Sequence, residues 1–110
     1  MKIAITNDGK GIVAQHFGHC PLFTVAEINN NKVLVKEDIK NPGHEPGFLP
    51  GFLHEQGVNM VIAGSMGQRA INLFHNLGIK VMVGTIGTVD ETIEKFIQGN
   101  LQNGENLCDH

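Results

Sequence analysis

Short apolar runs alternate with helical segments throughout the second half of the chain, and this alternation narrows the possible folds more than any other feature. Two of the runs, NMVIAGS and KVMVGTI, have the length and continuity of buried strands. Helices are expected in LPGFLHEQG, GQRAINLFHNLG and TVDETIEKFIQG, and the last opens with a capping box of Thr88 and Glu91. Strands and helices in alternation predict a sheet with parallel strands covered by helices, and the uninterrupted runs favour central positions for both strands.

The first half of the chain has a different pattern. KIAIT is expected to be a buried strand that ends at Asn7, and LFTVAEI and VLVKEDI are expected to form a hairpin over residues 22–39 around the turn NNNK. The segment KNPGHEPG, residues 40–47, has two prolines and two glycines and is expected to be a loop. The predicted order is therefore β-β-β-α-β-α-β-α, an α/β fold with a mixed five-stranded sheet flanked by helices.

Length, charge and composition exclude several classes of protein. A chain of 110 residues with 41% hydrophobic residues is expected to form one domain, which we place at residues 1–102, followed by a polar tail at residues 103–110. The net charge of −3 provides no basic field for nucleic acid, and no apolar run is long enough to cross a membrane. Two cysteines do not make a disulfide framework and no signal peptide is recognisable, so a reducing, cytoplasmic setting is expected.

Histidine and cysteine are concentrated in the segment VAQHFGHCPLF, residues 13–23, which contains His16, His19 and Cys20. Imidazole nitrogen and thiolate sulfur are ligands for zinc, copper(I) and iron–sulfur clusters. A closed tetrahedral site needs four ligands, and the further candidates in the sequence are His44, Cys108 and His110.

Two other interpretations of this segment are open. In the first, the histidines are ordinary loop residues and the cysteine beside them is buried. In the second, Cys20 is a nucleophile activated by a histidine. The nucleophile is disfavoured because Pro21 follows directly and no helix begins there to lower the pKa of the thiol. His54 and His75 lie inside predicted helices among polar neighbours, and we expect no ligand role for them.

A second candidate site is the strand–turn–helix segment AGSMGQRA, residues 63–70. Backbone N–H groups and a helix N-terminus bind anions, and the residues that would do so here are Gly64, Ser65, Met66 and Gly67. The turn TIGT is expected at the same edge of the sheet. The alternative is a tight turn with a packing role only. Few carboxylates converge at these strand ends, which argues against a two-metal nuclease.

The segment QHFGHCPLF resembles the H-F-G-x-C-x-x-F element of the dinitrogenase iron–molybdenum cofactor-binding family, which includes NifX, NafY and the C-terminal portion of NifB. The resemblance extends over roughly residues 1–102 and is closest to the small stand-alone members. It implies a ribonuclease H-like fold with a mixed five-stranded sheet and the binding of anionic metal–sulfur cofactors. The histidine of the element corresponds to His16, and its cysteine corresponds to Cys20.

The leading hypothesis is a non-enzymatic protein that binds, carries or helps to assemble an iron–sulfur or iron–molybdenum type cluster, with donor and acceptor proteins as partners. An anionic cluster requires soft ligands and backbone donors to its sulfides, and the two candidate segments contain both. Two alternatives come from other classes of protein. One is a small enzyme or sensor that binds a phosphorylated ligand at the Gly64–Gly67 turn, and the other is a simple binder of zinc or another divalent metal.

Overall fold

The computed structural model describes residues 1–43 and 47–101, and within these ranges it contains a five-stranded sheet and three α-helices. The strands are β1 (Lys2–Asn7), β2 (Leu22–Asn29), β3 (Lys32–Lys40), β4 (Met60–Ile62) and β5 (Lys80–Met82). The helices are α1 (Phe48–Glu55), α2 (Gln68–Asn76) and α3 (Val89–Ile97), and a short 3₁₀ turn covers Phe17–His19. The α/β class and the mixed five-stranded sheet agree with the prediction, whereas the 3₁₀ turn was not predicted.

The sheet has the strand order β3-β2-β1-β4-β5, so β1 is its central strand. β1 is antiparallel to β2 and parallel to β4, and β5 continues the parallel half of the sheet. β2 and β3 form the predicted hairpin, whose turn places Asn30 and Asn31 at φ angles of 53° and 62°. Asparagine adopts this left-handed conformation more readily than most residues, which explains why the turn falls within NNNK.

Side chains from alternate positions of β1 enter separate cores on the two faces of the sheet. Ala4 contributes to a core that includes Leu53 of α1 and Phe74 of α2. Ile5 contributes to a smaller core that includes Ile93 of α3. Two helices therefore cover one face of the sheet and one helix covers the other.

The ends of the helices follow the signals in the sequence. The Thr88 side chain caps α3 by accepting a hydrogen bond from the backbone N–H of Glu91 at 3.0 Å. The turns that end α1 and α2 contain Gly57 and Gly78 at φ angles of 83° and 77°, a conformation that favours glycine. None of the helices in the described part of the chain is long and apolar enough to cross a membrane.

The two edge strands of the sheet are β5, whose position differs from the expectation, and β3, whose burial is not predicted from the sequence. β5 lies at an edge of the sheet and not at its centre, so the prediction of two central strands holds for β4 alone. β3 is exposed along almost its whole length, and Val33, Leu34 and Val35 are 39%, 59% and 57% exposed. An apolar run predicts a strand, but the number of elements that cover it depends on the rest of the chain.

Candidate functional site

The loops that follow β1, β4 and β5 lie at the same edge of the sheet, because these three strands are parallel. The loop after β1 is bonded to its own strand and to the loop after β5, since the N–H of Ala14 donates to Thr6 O at 3.0 Å and that of Val13 to Gly87 O at 2.9 Å. The loop after β5 is bonded to the loop after β4, because the Gly84 N–H donates to Gly64 O at 2.9 Å. Backbone hydrogen bonds thus hold the three loops together.

The loop after β4 approaches the loop after β1 so closely that position 64 requires a glycine. The Gly64 N–H donates to Ala14 O at 3.1 Å. A Cβ atom at this position would lie 2.9 Å from that oxygen and 3.0 Å from Gln15 O, and both are backbone atoms that cannot move independently. The N–H group of Gly64 is therefore engaged within the protein, which supports a packing role for this glycine.

This close approach brings His16 and Ser65, which are 49 residues apart in sequence, into contact. The two residues form an isolated parallel bridge, and the Phe17 N–H donates to Ser65 O at 3.1 Å. The Ser65 hydroxyl donates to Gln15 O at 2.6 Å and lies 3.1 Å from Nδ1 of His16. His16 is exposed whereas Ser65 is buried, so the serine contacts the histidine from the interior side of the protein surface.

The 3₁₀ turn presents His19 at the surface beside His16. Phe17 anchors the turn, because its ring packs against Phe23 and Phe74 in the larger core at centroid distances of 5.8 and 5.3 Å. The His19 N–H donates to His16 O at 3.3 Å, and the two imidazole rings lie 6.3 Å apart at an angle of 87°. The buried phenylalanine therefore fixes two exposed imidazoles next to each other.

A cleft of about 340 Å³ lies between this turn, the start of α1 and the first turns of α2. Its lining residues are Phe17, Gly18, His19, Gly47, Leu49, Pro50, Gly67, Arg69, Ala70 and Leu73. Most of these residues are apolar, and the ionisable ones are His19 and Arg69, with no carboxylate among them. The N-terminal end of α2, which carries a partial positive charge, begins at the Gly67 cap. The cleft therefore favours a ligand that combines apolar surface with negative charge.

Cys20 follows the 3₁₀ turn but faces the interior. Its side chain is in the larger core, the residue is 2% exposed, and its Sγ donates a hydrogen bond to Phe17 O at 3.3 Å. Burial raises the pKa of the Cys20 thiol to about 11, although hydrogen bonds to Asn7 and to its own backbone oppose this rise. The thiol is accordingly neutral near pH 7, and the structure does not bring it to the surface with the two histidines.

The other predicted site residues are distributed between surface and core. Gly67 is exposed and lines the cleft, whereas Met66 is 1% exposed and packs in the larger core. Three predicted ligands, His44, Cys108 and His110, lie outside the described residues. No three histidine, cysteine or acidic side chains in the described ranges lie close enough together to hold a metal ion.

Two features of the site were not found from the sequence. One is the wall of the cleft formed by Leu49 and Pro50 at the start of α1. The other is the contact between Ser65 and His16: the sequence predicts Ser65 as a ligand residue, whereas its side chain bonds within the protein. The sequence contains one signal for this contact. The small residues Gly64 and Ser65 follow a buried strand, and small residues at such a position permit another loop to approach.

Comparison with known proteins gives consistent results. A family model described as dinitrogenase iron-molybdenum cofactor matches residues 1–99. An uncharacterized protein from Methanocaldococcus jannaschii is 34% identical over 110 residues, which cover 96% of this chain and 92% of the relative.

Solved structures share the fold. The crystal structure of PH0822 matches with a TM-score of 0.87 and 35% identity over 94% of each chain. The apo form of the orange protein from Desulfovibrio gigas matches with a TM-score of 0.79 over 96% of this chain and 93% of the other. At 24% identity, this second likeness concerns the fold alone.

Proposed function

The chain belongs to the dinitrogenase iron–molybdenum cofactor family, and from this membership we propose that it is a non-enzymatic carrier of an anionic metal–sulfur cluster. The cargo is an iron–sulfur or iron–molybdenum type cluster or a precursor of one. The proposed site is the cleft beside the 3₁₀ turn, and the residues that supply metal ligands are His19, which lines the cleft, and His16, whose ring lies 6.3 Å from that of His19.

The observation that carries this proposal is the combination of charge and ligand type at the cleft. The whole chain has a net charge of −3, yet among the described residues the lining of the cleft contains Arg69 and His19 and no carboxylate. The N-terminal end of α2 adds partial positive charge and backbone N–H donors for sulfide ligands. Imidazole nitrogen is a common ligand for iron and other transition metals. An anionic cluster satisfies all of these groups at once.

The size and exposure of the site support transport in preference to catalysis. A volume of about 340 Å³ is near the lower end of the range of about 300–1,000 Å³ that is usual for small-molecule sites. A compact cluster in such a cleft remains partly accessible to a donor or acceptor protein. Both histidines are exposed, and ligation by so few residues permits release of the cargo.

The proposal assigns Cys20 to the core and not to the cluster. A thiol with a pKa of about 11 is a poor source of the thiolate that a metal binds. His44, Cys108 and His110, which lie outside the described residues, stay in the proposal as supplementary ligands. We place the cofactor-binding unit at residues 1–102, and deletion of residues 103–110 tests whether the tail adds to cluster retention.

The strand order supports the ribonuclease H-like assignment that the resemblance implies. β2 is antiparallel to both of its neighbours, and the remaining strands run in one direction. This arrangement places the ends of β1, β4 and β5 at one edge, where ligands bind in open α/β sheets.

Anaerobic reconstitution tests the proposed function. The protein is incubated with tetrathiomolybdate or with a synthetic thiolate-ligated [4Fe–4S] cluster and passed through a gel-filtration column, and molybdenum, iron and sulfide are measured in the protein peak. We expect the wild type to retain at least one of the probes. His16→Ala and His19→Ala are expected to lower retention more than about tenfold, since loss of even an outer partner of a ligand has effects of that size.

Matched variants control for nonspecific effects. His75→Ala removes an exposed histidine from the last turn of α2 and is expected to leave retention unchanged. Arg69→Gln is expected to weaken retention and to reduce its dependence on salt, because it removes a positive charge from the lining of the cleft. Equal retention by the wild type, His16→Ala and His19→Ala would contradict the site assignment.

The same preparations test the two alternatives. A simple divalent-metal protein would bind zinc tightly without sulfide and would bind neither anionic probe. A phosphate-binding protein would be stabilised against heat by sugar phosphates or nucleotides, by about 2.7 kcal/mol at a concentration 100 times the Kd. The structure gives the phosphate alternative less support, because the Gly64 N–H is engaged and Met66 is buried.

A further inference from the structure

We propose that Ser65 is a positioning residue that holds His16 in the tautomer with hydrogen on Nδ1, so that Nε2 carries the lone pair that binds the metal. This inference rests on the proposed function for the identity of the cargo. The tautomer itself follows from the hydrogen bonds of the protein without cargo, and it is measured separately.

The argument begins with the single proton of the Ser65 hydroxyl. Ser65 Oγ lies 2.6 Å from Gln15 O, and a carbonyl oxygen can only accept a hydrogen bond. Two oxygen atoms at this distance repel each other unless a hydrogen lies between them. The hydroxyl proton is therefore directed at Gln15 O.

The second step concerns the ring of His16. Its Nδ1 lies 3.1 Å from the same hydroxyl oxygen, whose proton is already used. The remaining favourable arrangement has Nδ1–H as the donor and the lone pair of Ser65 Oγ as the acceptor. A neutral imidazole with hydrogen on Nδ1 has its lone pair on Nε2, and ligand histidines are commonly oriented by such an outer partner.

The backbone keeps this arrangement in place. The Phe17 N–H donates to Ser65 O at 3.1 Å, and the Gly64 N–H donates to Ala14 O at 3.1 Å. These two bonds lie on either side of the contact between His16 and Ser65. Ser65 is 0% exposed, so bulk water does not compete for its hydroxyl group.

Nuclear magnetic resonance of the histidine ring nitrogens measures the tautomer in the protein without cargo. The spectrum is recorded at about pH 8, where histidine rings are ordinarily neutral, and His16→Ala identifies the signals of His16. We expect the wild type to show His16 with hydrogen on Nδ1. A solvated histidine without such a partner favours hydrogen on Nε2, so Ser65→Ala is expected to shift His16 toward that form.

Thr85→Val is the matched control. Thr85 lies in the loop after β5 at the same edge of the sheet, is 7% exposed, and its hydroxyl has no hydrogen-bond partner among the described residues. The substitution removes a buried hydroxyl without touching Ser65 and is expected to leave the tautomer of His16 unchanged. In the reconstitution assay, Ser65→Ala is expected to lower the affinity for the synthetic [4Fe–4S] cluster, in which the imidazole would replace one thiolate ligand, by about 10–100-fold, and Thr85→Val is expected to have no effect.

The two measurements separate the failure of this inference from the failure of the proposed function. A wild type that shows hydrogen on Nε2 of His16 overturns the inference, and this spectrum does not depend on whether Ser65→Ala folds. An unchanged tautomer in folded Ser65→Ala also overturns it. If the wild type shows hydrogen on Nδ1 but retains neither probe, the proposed cargo is wrong and the assignment of the tautomer stands.

Discussion

At position 64, one added methyl group would meet two backbone oxygen atoms of the neighbouring loop. Backbone hydrogen bonds hold these loops together, and Gly64→Ala would have to lengthen or break some of them to make room for the methyl group. We expect this substitution to destabilise the fold by about 1–3 kcal/mol, as overpacking commonly does, and to loosen the contact between Ser65 and His16. Chemical denaturation measures the first effect, and the histidine ring spectrum measures the second.

Gly18→Ala is the appropriate comparison, since it makes the same change within the 3₁₀ turn. A Cβ atom at Gly18 would meet no atom within 4 Å, and its φ angle is not in the left-handed region. The free energy of unfolding of Gly18→Ala is expected to stay within about 0.5 kcal/mol of that of the wild type. Similar destabilisation by the two alanines would show that the close approach at Gly64 is not limiting.

At the scale of elements, β3 is an edge strand, and no strand among residues 1–43 and 47–101 pairs with its outer backbone groups. Leu34 is 59% exposed, so Leu34→Lys is expected to change the free energy of unfolding by less than about 0.5 kcal/mol. A charge on an exposed edge also opposes strand pairing between molecules. Light scattering at high protein concentration should therefore show less association in this variant than in the wild type.

Ile39, in the same strand, is expected to be much less tolerant of substitution by lysine. Its side chain is partly buried against the larger core, so Ile39→Lys is expected to cost about 1–3 kcal/mol. Equal stability of the two lysine variants would contradict the difference in burial between Leu34 and Ile39.

The sequence predicts the elements well because their signals are local. Apolar runs, the Thr88 cap and the glycines after α1 and α2 are each read within a few residues. The site is less predictable because its contacts are distant in sequence. Nothing near His16 indicates that Ser65 will lie beneath it, and nothing near Cys20 determines that its side chain turns toward the core. Ligand-type residues can be selected from sequence, but their exposure depends on the packing of the whole fold.

At the scale of the whole molecule, the buried thiol of Cys20 is expected to make the free energy of unfolding vary with pH in the alkaline range. Burial raises its pKa from 9.0 to about 11, so the unfolded chain releases this proton at lower pH than the folded protein does. Stability is therefore expected to fall as the pH rises from about 9 to about 11, by a total on the order of 2 kcal/mol. Below this range the Cys20 contribution is constant.

Denaturation of the wild type and of Cys20→Ala at several pH values isolates this effect. The chain has no tyrosine, and its lysines and Cys108 are the same in both proteins. Cys20→Ala is expected to be less stable at neutral pH because it leaves a cavity, but to lose less stability between pH 9 and 11. Parallel pH profiles would show that Cys20 is not the group responsible.

The contact between His16 and Ser65 also imposes an order of events on the growing chain during synthesis. The hairpin of β2 and β3 and its pairing with β1 involve residues that are all made early, whereas β4 and the first turn of α2 follow later. A nascent chain that ends before residue 64 has both exposed imidazoles but neither the serine that orients one of them nor the positive wall of the cleft. Under the proposed function, the site for a cluster is therefore completed only after this later part of the chain has been made.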